Sequence, residues 1–176
     1  AMHNLLHCDH AELNYLLTKS TPGANGISFL PYLAGERTPL WNPWASGSLL
    51  GLTLGSNKSD IARAVIEGLA FSVGHIATTI AECGIQIDEV FLAGGLARND
   101  LLCQIKADVL NAPVKTFADY ELTSIGLGAI MAVAMGFYKN LPEASQVFTT
   151  TEKEFNPNSS TQTFHMNAFK RYQEYS

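Results

Sequence analysis

One apolar stripe constrains the fold more than any other feature of the sequence. Ile61, Val65, Leu69, Val73, Ile76 and Ile80 recur at steps of 4, 4, 4, 3 and 4, which holds them along one face of a helix with 3.6 residues per turn. The spacing predicts a helix from Asp60 to Cys83, capped by Ser59 and stopped near Gly84. At 1.5 Å per residue such a helix is about 36 Å long, enough to cross a whole sheet face. An element of this kind has to be covered, so it is expected to be the main packing helix of the domain.

The pattern then alternates. Val90 to Ala93 reads as a strand, Gly94-Gly95 as a turn, and Asp100 to Leu110 as a helix with Leu101, Leu102, Ile105 and Val109 inward. Val114 to Phe117 reads as a strand and Ser124 to Tyr138 as a last, small-residue helix whose glycines allow close backbone approach. Strand-helix-strand-helix order implies an α/β fold with a parallel sheet and right-handed crossovers. Upstream, residues 9 to 19 read as a short helix, Gly26 to Pro31 as a strand, 32 to 48 as a structured loop, and 49 to 54 as a second strand. Beyond Asn140 the chain turns polar and is expected to be a surface excursion, before Phe164 to Tyr175 regains a helical pattern that docks back.

Length and composition bound the function. The chain has 176 residues, which at roughly 150 residues per domain gives one domain rather than two. With 47% hydrophobic and 15% charged residues, it is too apolar for intrinsic disorder. A net charge of -5 argues against nucleic acid as a partner, because that affinity comes from clustered cations. Cys8, Cys83 and Cys103 form no Cys-x-x-Cys unit, so neither a disulfide framework nor a zinc site is indicated and a reducing cytoplasm fits. No apolar run approaches the ~20 residues that cross a bilayer, so no membrane partner is expected. The opening Ala1-Met2 reads as a cleavage scar ahead of an initiator methionine, hence as the start of a chosen piece of a longer protein.

The segment VFLAGGLARNDLL, residues 90 to 102, carries the most chemical information. A buried strand runs into two glycines, then Arg98 and Asn99, then a helix N-terminus. Backbone there can touch a flat or anionic ligand, and unpaired N–H groups and an Asn amide offer directed hydrogen bonds. An ordinary strand-to-helix turn is the alternative. Neither Gly-x-Gly-x-x-Gly nor a P-loop occurs, and none of the six aspartates is followed by glycine, so no Asp-Gly phosphate hairpin is present. His3, His7 and His10 have helical spacing that suits a metal or simply a polar surface. His75 beside the stripe reads as a hydrogen-bonded structural residue. Glu36 and Arg37 read equally as an anion grip or a loop salt bridge.

Taken together, these segments resemble the C-terminal half of the FGGY carbohydrate kinases. GSLLGLTLGSNKSDIARAVIE, from Gly47 to Glu67, fits that family's signature: Gly-x-apolar-x-Gly-Leu, seven residues, Asp-Ile, two residues, Ala-Val-Ile-Glu. AGGLARNDLLCQIKADVLNAPV at 93 to 114 resembles the adenosine segment, ELTSIGLGAIMAVAMGFY at 121 to 138 the small-residue helix, and PYLAGERTP at 31 to 39 the xylulokinases and their gluconate-phosphorylating relatives. The resemblance covers residues 20 to 175. It implies a ribonuclease H-like, actin-like ATPase domain, with residues 1 to 176 forming the nucleotide-side C-terminal domain, truncated at its N-terminal edge, and the sugar-binding N-terminal domain absent. Gly94, Gly95, Leu96, Arg98 and Asn99 are then the nucleotide-binding residues. Two positions depart from the family pattern: Leu96 stands where a third glycine is common, and Ser46 where an arginine is usual. ATP and Mg2+ are the implied cofactors, with the ion held mainly by phosphates and parts outside this chain. The implied reaction is γ-phosphate transfer to a sugar, most closely xylulose. The alternatives are gluconate, glycerol or another polyol, or a non-catalytic module on the same fold. No match to the family's catalytic aspartate is present, so this chain alone is expected to be inactive, and an uncovered surface gives a possible homodimer.

Overall fold

The computed structural model describes residues 8 to 118 and 121 to 176. Seven strand and helix segments build the body: α1 (His10–Lys19), β1 (Ser28–Leu30), β2 (Ser48–Leu50), α2 (Lys58–Glu82), β3 (Val90–Leu92), α3 (Asp100–Leu110) and β4 (Val114–Phe117). They are followed by α4 (Leu122–Ala134), α5 (Leu141–Phe148), β5 (Thr151–Phe155) and α6 (Ser159–Tyr175). β3 and β4 pair in parallel through Val90 and Val114, and β5 adds antiparallel to β4 through Val114 and Phe155, giving the order β3-β4-β5. β1 and β2 form a separate antiparallel pair with Ser28 opposite Leu50.

α2 begins earlier than its periodicity indicates, because the cap is Asn57 and not Ser59. Asn57 Oδ1 accepts the N–H groups of Ser59 and Asp60, and Asp60 Oδ2 accepts the Asn57 N–H at 3.2 Å. This reciprocal box satisfies donors that a helix start leaves open. The burial of α2 also departs from the single stripe. Every residue from Ala62 to Gly68 is buried, whereas Val73, Ile76 and Ile80 are only partly covered. The reason is that α2 is surrounded: α1, the 3-10 turn Ala24–Gly26, β1, α3 and α6 all pack against it, and the clusters they form gather Ala62, Ala64, Val65, Ile66 and Ala70. Gly68 is where β1 comes closest, since a Cβ there would stand 2.2 Å from the Phe29 carbonyl oxygen. By length and composition alone α2 could cross a membrane, contrary to the sequence-based expectation. In the fold it is the core helix, with Asp60, Arg63 and Glu67 buried along it.

The principal core joins Leu13, Leu16 and Leu17 of α1, Ile66 and Phe71 of α2, Leu102 and Ile105 of α3, and Phe169 and Tyr172 of α6. Phe71 meets Tyr172 edge-on at 5.8 Å, and the Tyr172 hydroxyl lies 3.1 Å from that of Tyr32, so the polar tip of a fully buried ring is satisfied. A second cluster of Cys103, Ala107 and Val114 seats α3 on the three-stranded sheet. α6 docks back as expected.

Two further expectations are corrected and a third is refined. The apolar run at 49 to 54 pairs only at Leu49 and Leu50, because Gly51 turns away with φ 81° and a Cβ on it would meet the Gly26 carbonyl at 2.4 Å. The polar stretch after Asn140 lies at the surface as expected, but it is ordered there into α5 and the edge strand β5, with Ala144 buried. In the small-residue helix, nothing lies within 4 Å of a Cβ built on Gly126 or Gly128, so no described neighbour uses the close approach they allow.

Candidate functional site

The turn between β3 and α3 owes its shape to backbone conformations that side chains resist. Gly94 has φ 81° and ψ -176°, a region that is essentially glycine-only. It turns the chain out of β3 into a short 3-10 segment, Gly95–Arg98, closed by the Ala97 N–H donating to the Gly94 carbonyl at 3.0 Å. Ala97 is buried and anchors the segment, and the Cys103 thiol donates to its carbonyl at 3.5 Å. Burial pushes the Cys103 thiol up, with Lys106 opposing, so it stays protonated. Asn99 then caps α3, its Oδ1 accepting the Leu102 N–H at 2.9 Å.

That cap refines the chemistry expected of the turn. The Asn99 carbonyl oxygen is committed to the helix, which leaves its NH2 group as the ligand donor. The Leu102 N–H is likewise taken, so the backbone donors left at the helix start belong to Asp100 and Leu101. The Asp100 carboxylate occupies the same first turn and pairs with Lys153 of β5 at 2.9 Å. That pair carries no net charge, so the first turn offers a ligand its backbone donors and no charge of its own.

The turn borders a cleft of ≈ 900 Å³. Gly95, Leu96, Arg98 and Asn99 form one wall, Leu13, Ile66 and Leu69 supply an apolar floor, and Cys8, Asp9 and Asn14 close the other side. Gly94 does not line it but sets the direction of the wall. A Cβ on Gly95 would meet nothing within 4 Å, so the backbone is open to an approaching ligand. Leu96 is 56% exposed and stands on the rim. The floor residues Leu13 and Ile66 carry only a core signal in the sequence, because a cleft floor and a core have the same apolar periodicity.

Other candidates resolve differently. Glu36 is buried and does not pair with Arg37. Its Oε1 accepts the Thr38 N–H at 2.7 Å, and its Oε2 the N–H groups of Leu40 and Trp41 at 2.8 and 3.0 Å. It therefore organises the loop that leaves Trp44 90% exposed. His75 makes no hydrogen bond through its buried Nδ1 and instead stands edge-on to Tyr172 at 6.4 Å. His3 and His7 lie outside the described residues, as does the His10 side chain. Among the described residues no three His, Cys, Asp or Glu side chains gather as a metal site.

The signature segment is structural in the same physical sense. Besides the helix cap, the buried Asp60 accepts the Asn25 amide at 2.8 Å, and Glu67, at its end, accepts the Gly23 N–H at 2.8 Å and the Arg63 Nε–H at 2.6 Å. A Cβ on Gly47 would meet the Leu33 side chain at 2.5 Å.

Residues 7 to 137 match the profile of the FGGY family of carbohydrate kinases, C-terminal domain. The chain is 33% identical over 148 residues to a xylulose kinase of Staphylococcus epidermidis, covering 84% of this chain and 30% of that protein. It is 35% identical over 142 residues to a glycerol kinase of Herminiimonas arsenicoxydans, covering 80% of this chain and 28% of the relative. In three dimensions it is similar to a ligand-bound xylulose kinase from Lactobacillus acidophilus, with a TM-score of 0.89, 27% identity, and coverage of 99% of this chain and 36% of the other. The chain thus spans about a third of the length of the proteins it matches. These likenesses place the α/β fold among the ribonuclease H-like, actin-like ATPases.

Proposed function

Because this chain belongs to the FGGY family of carbohydrate kinases and carries its C-terminal domain, we propose that it is the nucleotide-side domain of an ATP-dependent sugar kinase. In this reading the cleft beside Gly95 and Asn99 takes the adenosine end of ATP, and a sugar-binding domain lies N-terminal to it in a longer polypeptide. The carrying observation is the glycine turn standing over an apolar floor. A purine needs a flat, apolar slot with a few directed donors, and Gly95 offers exposed backbone, Asn99 an NH2 group, and Ile66 and Leu69 the floor. The Asp100–Lys153 pair leaves this end of the cleft without net charge, which fits the neutral purine and ribose, and the phosphates extend towards the remainder of the site. Leu96 narrows the rim on the side where a third glycine would leave it open, and Arg98 lies on the outer rim.

The chemistry, phosphoryl transfer to a sugar hydroxyl, requires a carboxylate base and phosphate-holding loops. The carboxylate that lines the described cleft, Asp9, caps α1 by accepting the Glu12 N–H at 2.8 Å, and no described cluster fits Mg2+, so both roles fall to the remainder of the kinase. The chain alone is therefore inactive. Xylulose is the favoured substrate, supported by the PYLAGERTP segment and by the named relatives. Gluconate and glycerol are the next readings. A non-catalytic module that reuses the fold is the remaining alternative. A reducing cytoplasm fits the three free cysteines. A homodimer is a reading supported by the open apolar face of α4, where Leu127, Ile130 and Met131 are all more than half exposed.

The deciding assay measures ATP consumption by the longer polypeptide with xylulose, gluconate and glycerol. Turnover with one of them, and none from these 176 residues alone, is the expected result. No turnover with any polyol overturns the kinase reading in favour of the module.

A further inference from the structure

Four buried polar side chains outside the cleft form one connected chain across three helices. Glu67 and Arg63 on α2, His165 on α6 and Asp108 on α3 are 1%, 4%, 1% and 0% exposed. Glu67 Oε1 accepts the Arg63 Nε–H at 2.6 Å, Arg63 Nη2 lies 2.8 Å from His165 Nε2, and His165 Nδ1 lies 2.7 Å from Asp108 Oδ2. A guanidinium only donates, so His165 Nε2 must accept. The ring is therefore the neutral imidazole with its proton on Nδ1, donated to Asp108. Asp108 also accepts from Gln104 Nε2 at 2.9 Å, the Asn158 N–H at 2.8 Å and the Thr161 hydroxyl at 2.7 Å.

Apolar packing alone does not define how α3 sits. Leu102, Ile105 and Val109 bury area, and that attraction is non-directional. Directed bonds from a buried carboxylate fix rotation and register, because any rotation that breaks one leaves a polar group unpaired. α3 is one rigid helix from Asp100 to Leu110 with Asn99 as its cap. Asp108 therefore stands roughly 13 Å along the axis from Asn99 at 1.5 Å per residue. A tilt at one end is transmitted to the other.

We propose that the chain Glu67–Arg63–His165–Asp108 is the positioning device of the nucleotide turn, holding α3 against α2 and α6 and so setting where the Gly95 backbone and the Asn99 amide stand. His165 is its central positioning residue, since among the described residues it alone joins the cation of α2 to the carboxylate of α3. The inference rests on the nucleotide reading for its purpose, but its geometry is measurable without nucleotide.

The test uses 15N-labelled chain at neutral pH. The His165 ring nitrogens are expected to show the neutral tautomer protonated on Nδ1, and the proton on Nε2 instead would overturn the proposal. His165→Ala is expected to displace the Gly94, Gly95 and Asn99 amide resonances, and His165→Gln, which keeps one donor and one acceptor, to restore them. Thr161→Val removes a single bond to Asp108 and should fold even if the alanine variant does not. It is expected to move the same three amides in the same direction by a smaller amount. Unmoved amides in Thr161→Val, or no recovery in His165→Gln, contradict the coupling. ADP titrated into the unmodified chain is read separately: loss of that response counts against the nucleotide reading and leaves the coupling to the variants.

Discussion

Asn99 and Leu102 are joined by a 2.9 Å hydrogen bond from the Leu102 N–H to the Asn99 side-chain oxygen, so one residue both starts α3 and faces the cleft. The two roles are separable by substitution. Asn99→Asp keeps an oxygen cap and loses the NH2 donor, whereas Asn99→Ala loses both. Thermal unfolding is expected to leave Asn99→Asp close to the parent and to cost Asn99→Ala about 1 kcal/mol. Both are expected to weaken ADP binding by the longer kinase about tenfold, roughly 1.4 kcal/mol. Unchanged ADP affinity in Asn99→Asp would assign the residue to capping alone.

The paired glycines are expected to separate in the same way. Gly94 sits at φ 81° and ψ -176°, so Gly94→Ala forces a side chain into a glycine-only conformation at a cost of about 1 to 3 kcal/mol. Gly95 has no positive φ and open space around a Cβ, so Gly95→Ala leaves stability nearly unchanged and acts on ligand approach. Urea denaturation and nucleotide titration of the two variants check this, and equal destabilisation by both would contradict it.

Gly68→Ala tests the close packing of α2 on β1. A Cβ would stand 2.2 Å from the Phe29 carbonyl oxygen, which belongs to backbone and cannot swing away. The expected loss is about 3 kcal/mol, at the upper end for overpacking. Gly126→Ala, with nothing within 4 Å, is the control and is expected to be neutral or slightly stabilising on helix propensity.

Asp108 makes stability pH-dependent with a definite sign. Burial raises its carboxyl, but the hydrogen bonds from Asn158, Thr161, Gln104 and His165 outweigh it and hold the group below its ordinary range. A folded-state value below the unfolded one contributes stability that is complete at neutral pH and is lost as pH falls through the carboxylate range and the folded value. Urea midpoints are expected to fall between about pH 5 and pH 3, and to fall less steeply in Asp108→Asn. That variant should also be less stable at neutral pH by about 2 to 3 kcal/mol, since its partners lose an acceptor. An acid limb identical in both proteins would remove Asp108 from the account.

How much of this was readable from residues depends on the kind of contact. α3 and β4 match their sequence limits because their start, stop and inward face are all local: Asn99 before Asp100, a left-handed Asn111 at the end, and Leu102, Ile105 and Val109 on one side. The same locality made the glycine turn visible. Ser59 and Asn57 are both plausible caps two residues apart, and only Asp60 closing the box decides between them. The stripe on α2 failed as a guide to burial because five described elements surround that helix. β5 escaped notice because TEKEF pairs through its backbone at a sheet edge and shows almost no buried face. The chain from Glu67 to Asp108 spans three helices and is polar, so no hydrophobic pattern marks it.

The central claim is that the purine end of ATP lies against the Gly95 backbone and the Asn99 amide. The direct measurement is a crystal structure of this chain with a non-hydrolysable ATP analogue. The account predicts base density between Gly95 and the Ile66–Leu69 floor, with Asn99 Nδ2 within hydrogen-bond distance. Density for the analogue away from that cleft, with Leu96 folded across the turn, would contradict it.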